Sequence, residues 1–267
     1  MPGAAPRIQL LQANIDPGDD ESELRILVDG TFVKYLTIEA GVYDVDDMCF
    51  EPALVALLPT LPPGNWNEGH ISKNSTTDRP YFTKTARSQL PGVTNLWHDL
   101  MIDHLELHRG TKLRSNVYMV TCAYFDEPVV AKFARFAWEI PYLEAETTAY
   151  RWINDHQVGP KFLGHLHEEG RVIGFIMEQI QNCRHAELED LTLCQQTLSR
   201  LHTLGFKHGD INKHNFLIQD KTAILIDMES VTRCSDTDVL NEEFRRLKEE
   251  LQDTSGRGGS KIVATVA

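Results

Sequence analysis

Residues 208–218 read HGDINKHNFLI. This stretch gathers a carboxylate, two amides and two imidazoles, and then turns apolar. A helical pattern precedes it: Leu191, Cys194, Leu198 and Leu201 recur at helical spacing, and Gly205 supplies a natural stop. A strand pattern follows from Phe216. The next apolar run, TAILIDMESV, delivers Asp227 at the end of a second strand. Asp210, Asn215 and Asp227 are thereby expected on the rim of one small hairpin. Two carboxylates and an amide oxygen converging there suit Mg²⁺, which takes oxygen ligands and tolerates retained waters and substrate phosphates.

The chain has 267 residues and is 42% hydrophobic, enough for one or two globular domains with a sizeable core. Its 26 basic residues against 39 acidic ones leave a net charge of -13. A protein that grips nucleic acid needs many Lys and Arg to displace counterions. No nucleic-acid partner is expected, and no anionic membrane surface. The cysteines, Cys49, Cys122, Cys183, Cys194 and Cys234, are scattered and form no CxxC. They read as reduced thiols of a cytoplasmic protein, not as a disulfide framework or a zinc ribbon. The N-terminus shows no charged segment followed by a long apolar run, so no signal peptide is expected. No stretch approaches about 18 consecutive apolar residues, so no membrane span is expected.

Residues 23–43 predict two strands around Asp29-Gly30, a strong hairpin signal. A short helix follows and ends at Pro59. Residues 62–91, rich in Pro, Gly, Asn, Ser and Thr, read as a long loop. Next come three strand candidates, 104–108, 117–125 and 129–136, with Asp126-Glu127-Pro128 as the second turn. A helix over 140–156 has Pro141 in its first turn, where a missing N–H matters least. Two further strands flank Glu168-Glu169-Gly170. The last helix shows Leu240, Phe244, Leu247 and Leu251 on one face. His104 and His108 share a strand face without a third ligand and are read as structural.

HGDINKHN and IDME resemble the protein-kinase-like superfamily, and more closely its small-molecule branch of aminoglycoside and choline phosphotransferases. Those carry an HGDxxxxN loop and an IDxE strand end. Protein kinases usually have Arg where Gly209 stands, and Phe-Gly where Met228-Glu229 stands. The resemblance spans about residues 104–252. It implies an α+β, protein-kinase-like bilobal fold. The N-lobe, residues 96–180, would be an antiparallel sheet plus one helix. A reduced, mainly helical C-lobe would occupy 181–253. An N-terminal extension, 1–95, would hold the hairpin, the short helix and the long loop, and 254–267 would form a flexible tail.

The resemblance also implies an ATP- and Mg²⁺-dependent phosphotransferase acting on a small-molecule hydroxyl or amine. Asp210 would be the catalytic base, with Asn215 and Asp227 as metal ligands. Lys132, in VVAKF on the third strand, would hold the nucleotide's α- and β-phosphates. A glutamate on the next helix should pair with it, and Glu139, Glu144 and Glu146 are the candidates. Leu143, Glu146, Tyr150 and Ile153 share one face, whereas Glu144 lies with Thr148 and Arg151 on the polar side, which selects Glu146. The backbone of Glu178 and Ile180, just after Met177, would bind adenine. Between the first two strands such enzymes often carry glycines whose N–H groups approach phosphate. Here RGTKLRSN, 109–116, has only Gly110, so Lys112, Arg114, Ser115 and Asn116 would supply side-chain contacts instead. His208 reads as a brace for its loop. No Ala-Pro-Glu-like anchor follows Asp227, so a regulated protein kinase is the weaker enzyme reading. The expected partners are a nucleotide and a small-molecule acceptor, with room left for a protein partner. A pseudokinase without turnover, an atypical protein kinase and a nucleotidyl transferase remain as alternatives.

Overall fold

A computed structural model describes residues 6–256 and Gly258. The chain divides into two compact units, Met1–Leu90 and Pro91–Ala267. Together they form a mixed α+β protein with several sheets and, among the described residues, five α-helices. No helix among the described residues is long and apolar enough to cross a membrane.

The first unit is a five-stranded sheet with two short helices. Its elements run β1 (Ile8–Asn14), β2 (Ser22–Val28), β3 (Phe32–Ile38), α1 (Val45–Cys49), α2 (Glu51–Leu57), β4 (Glu68–Lys73) and β5 (Pro80–Ala86). The strands lie in sequence order, antiparallel except for the β3–β4 pair. Parallel neighbours need a crossover, and α1 and α2 lie within it. The β2–β3 hairpin turns at Asp29 and Gly30, both at positive φ (53° and 69°), which the Asp-Gly pair accommodates. Leu24, Ile26, Leu36, Ile38, Leu54, Trp66 and Ile71 form the core. Two expectations fail here. The single short helix is two, because Pro52 restarts the chain in the first turn of α2. The long loop over 62–91 contains β4 and β5. Their alternation is diluted by lysines and threonines: β4 buries only Gly69 and Ile71, and β5 is an edge strand with no fully buried residue.

The second unit holds a six-stranded sheet built from β6 (Met101–Asp103), β7 (His108–Arg114), β8 (Val117–Cys122) and β9 (Phe125–Phe133), then, beyond α3 (Ile140–Ile153), β10 (Phe162–Glu168) and β11 (Arg171–Met177). The order is β6-β10-β11-β9-β8-β7, antiparallel apart from β6 with β10. The predicted run of three strands, one helix and two strands is present, with shifted boundaries. Residues 104–106 form a 3-10 turn, not a strand, with His104 buried against Glu168 at 3.5 Å. Residues 109–114 belong to strand β7, so Ser115 and Asn116 alone make the first turn. The second turn is Ala123-Tyr124, since Cys122 pairs with Phe125, and Asp126-Glu127-Pro128 lies inside β9.

The remainder runs β12 (Arg184–His185), α4 (Leu191–Thr203), β13 (Phe206–Lys207), β14 (Phe216–Gln219), β15 (Thr222–Leu225), β16 (Thr232–Arg233) and α5 (Thr237–Gln252). The β14–β15 hairpin pairs Phe216 with Leu225 and packs on α4 through β15, whose Ala223 carbonyl accepts from Thr197 at 2.7 Å. Cys194, Leu198 and Leu201 of α4 are fully buried, as their spacing predicts. On α5, Leu247 and Leu251 are buried, but so are the carboxylates of Glu243 and Glu250. The expectation of a flexible tail over 254–267 falls largely outside the described residues.

Candidate active site

Strand β9 presents Lys132 and helix α3 presents Glu146. Leu143, Glu146, Tyr150 and Ile153 are all buried, as a shared inward face requires. Lys132 Nζ lies 2.5 Å from Glu146 and 2.6 Å from Asp227, with Glu229 at 3.9 Å. The other two glutamates are engaged elsewhere. Glu139 binds Arg135 at 2.7 Å, and Glu144 accepts from the Thr94 and Asn95 backbone. Burial works against the Lys132 ammonium, yet Glu146 and Asp227 outweigh it and hold its pKa above the ordinary value. Burial, the largest influence on Glu146, raises its carboxyl against the pull of Lys132. Burial likewise raises Asp227, but Lys132 and then Arg114 bring it below the usual carboxylate value.

The loop 208–215 is folded on itself. Gly209 has φ 85°, and a Cβ there would stand 2.8 Å from the Ser230 carbonyl oxygen, so a side chain does not fit. The Asp210 Oδ2 atom accepts from the amides of Asn212 and Asn215, each at 3.0 Å, and Asn215 also donates to the Asp210 carbonyl at 2.9 Å. The Oδ1 atom of Asn215 is buried and has no hydrogen-bond partner. The Ile226 N–H donates to the Asn215 carbonyl at 2.9 Å and ties the loop to the strand end that carries Asp227. Asp227 itself adopts φ 63°, ψ 64°, a left-handed conformation uncommon outside glycine. Glu146 accepts the next N–H, that of Met228, at 3.2 Å, so one buried carboxylate positions both Lys132 and the backbone beside Asp227. His208 is fully buried and burial lowers its pKa. Its neutral ring accepts the Asp210 N–H at 3.3 Å and faces the Ile226 carbonyl. It braces the loop.

A cleft of about 580 Å³ opens over this network. Lys132, Glu146, Asp227 and Glu229 lie along it together with Glu178 and Ile180, which stand in the segment after β11. Val117, Val130, Met177, Leu217 and Ile226 add apolar walls. The Glu178 N–H is held by the Lys161 carbonyl at 2.8 Å, which fixes that segment. Of the residues expected from the 109–116 stretch, Asn116 and Arg114 line the cleft, whereas Lys112 and Ser115 do not. The reason is that β7 continues to Arg114 as an edge strand, which leaves Lys112 and Ser115 exposed. Asp210 borders a second cavity, of about 540 Å³, walled by Lys207 and by Asp238, Glu242, Arg245 and Arg246 of α5.

Glu243 is a contributor that the sequence reading missed. From α5 it accepts the N–H groups of Gly209 at 2.7 Å and His208 at 3.1 Å, and it meets His202 at 2.8 Å. Burial raises its carboxyl, but His202 and these two N–H donors bring it below the ordinary value. The available signal was a carboxylate on the same stripe as Leu240, Leu247 and Leu251, where an unpaired charge has no place. Replacing Glu243 with Ala strands two loop N–H groups, one of them buried. A loss of about 2–4 kcal/mol in unfolding free energy is expected by urea denaturation. An unchanged midpoint would contradict this role.

The lipopolysaccharide kinase (Kdo/WaaP) family matches residues 178–262, about a third of the chain. The chain is a kinase-like phosphotransferase. The matched family belongs to the protein-kinase-like superfamily. No curated protein matches the chain. The matched segment contains Asp210, Asn215, Asp227, Glu243 and the 178–180 segment, while Lys132 and Glu146 lie upstream of it. Both reach Asp227 or its neighbour through the contacts above, so the phosphotransferase segment and the sheet meet at one carboxylate.

Proposed function

We propose that this phosphotransferase moves the γ-phosphoryl group of ATP, with Mg²⁺, to a hydroxyl of a small acceptor. One observation carries the reading: Lys132 bridges Glu146 and Asp227 along a cleft that also includes the 178–180 backbone. The apolar walls suit a purine, with Glu178 and Ile180 offering backbone groups to its edge. Lys132 would meet the α- and β-phosphates. Asn215 and Asp227 fit a metal ligand pair, because the Asn215 oxygen is buried without a partner and Mg²⁺ favours oxygen donors. Bound Mg²⁺ would supply charge neutralisation at the phosphate oxygens. Asp210, oriented by Asn212 and Asn215, would accept the acceptor's hydroxyl proton. The acceptor oxygen bonds to the γ-phosphorus, the bond to the bridging oxygen breaks, and ADP leaves with that electron pair.

The acceptor is read as a polyhydroxylated compound of the saccharide kind. The matched family is named for lipopolysaccharide kinases, and the cavity beside Asp210 is lined with carboxylates and guanidiniums that hydrogen-bond hydroxyls. Purified protein with Mg²⁺ and γ-labelled ATP, offered sugars, amino sugars, simple alcohols and generic protein substrates, tests this. Label is expected in a sugar, and chelation of Mg²⁺ is expected to abolish transfer. Nucleotide-dependent thermal stabilisation with no transfer to any acceptor supports the second reading, a binding protein without turnover. The glycine-poor 109–116 stretch favours that alternative.

A further inference from the structure

The one glycine of the 109–116 stretch, Gly110, is not at the turn. It lies in β7, where a Cβ would meet the Met119 carbonyl oxygen at 3.2 Å. Ser115 and Asn116 make the turn, so no glycine there brings bare backbone towards the cleft. Arg114, the last residue of β7, reaches into the cleft instead. Its Nη1 lies 2.8 Å from Asp227 Oδ2, and its Nη2 lies 3.4 Å from the Gly258 carbonyl. Lys132 holds the other oxygen of the same carboxylate at 2.6 Å. Two cations, from strands either side of β8 in one sheet, therefore converge on the Asp227 carboxylate. Register shifts on both sides of Lys112 accompany this, and they re-aim side chains at the end of an edge strand.

We propose that Arg114 binds the nucleotide's phosphates with its side chain, in place of the backbone N–H groups that glycines expose in related enzymes. This rests on the ATP reading above and names the residue that completes it. A guanidinium presents a rigid fork of donors that matches phosphate oxygens two at a time, which a lysine or a single N–H does not. Asp227 marks how far the fork reaches. An anionic phosphate chain at that end of the cleft meets Lys132 from β9 and Arg114 from β7 together.

Calorimetric titration with MgATP and with adenosine, on the wild type, Arg114→Gln and Arg114→Lys, tests the proposal. For Arg114→Gln the dissociation constant for MgATP is expected to rise about 10- to 100-fold. Adenosine, which carries no phosphate, is expected to bind within about twofold of the wild type. Arg114→Lys keeps the charge without the fork and is expected to fall between the two for MgATP. Arg114→Gln binding MgATP as the wild type does, or losing adenosine equally, would overturn the clamp and leave the nucleotide site standing. A wild type that binds neither ligand would remove the ATP reading itself, and the clamp with it.

Discussion

Asp210→Asn is expected to slow phosphoryl transfer by about 10²- to 10⁴-fold, with MgATP affinity held within about twofold. The asymmetry follows from position. Asp210 borders the cavity against α5, whereas Lys132, Asp227, Glu178 and Ile180 line the other cleft. An amide at 210 still offers an oxygen to the side chains of Asn212 and Asn215, which now donate to the Asp210 carboxylate at 3.0 Å. The loop therefore keeps its shape. What the amide lacks is a site for the acceptor's proton. Single-turnover rates with labelled ATP, next to nucleotide titration, separate the two quantities. Turnover at the wild-type rate would remove Asp210 from the proposed chemistry, and equal loss of MgATP binding would make its role structural.

Lys132→Met is expected to destabilise the second unit by about 3–5 kcal/mol near neutral pH, besides abolishing transfer. Glu146 is 1% exposed, and Lys132 is its ion-pair partner. Removing the ammonium leaves a buried carboxylate with the Met228 N–H as its remaining hydrogen bond. Asp227 fares better, since Arg114 still holds it at 2.8 Å. Burial already raises the Glu146 carboxyl, and losing Lys132 raises it further. A carboxyl raised in the folded state binds more protons folded than unfolded, so stability falls as pH rises through that window and returns as pH falls. The defect should therefore shrink between neutral pH and about pH 5. Urea denaturation at both pH values checks the sign, and a defect of the same size at each would show that Glu146 is not the group left stranded.

Much of this arrangement was legible because it is local. Asn215 and Asp227 flank the two strands of one hairpin and Asp210 lies in the loop just before it, and the apolar strands leave little choice of register. Glu146 followed from helical periodicity, which places it about 200° around the axis from Glu144. The unread parts have different causes. Strands β4 and β5 bury few residues and so carry little alternation. The first turn, 115–116, was read as a longer loop over 109–116 because β7 is an exposed edge strand, whose polar residues look like a loop. Glu243 was missed because its partners, the His208 and Gly209 N–H groups, belong to a segment 34 residues or more away in sequence.

The sequence by itself determined the local order of elements in the second unit, the helix face that carries Glu146, and the chemical types gathered at residues 208–227. Periodicity and turn chemistry act over a few residues, and they suffice for that. Only the tertiary structure decided that Lys132 and Arg114 share the Asp227 carboxylate, that Asn215 keeps a buried oxygen without a partner, and that α5 pins the Asp210 loop through Glu243. Those facts depend on strands and helices far apart in the chain meeting at distances near 3 Å. No spacing rule carries that information, because it arises from the packing of whole elements against one another.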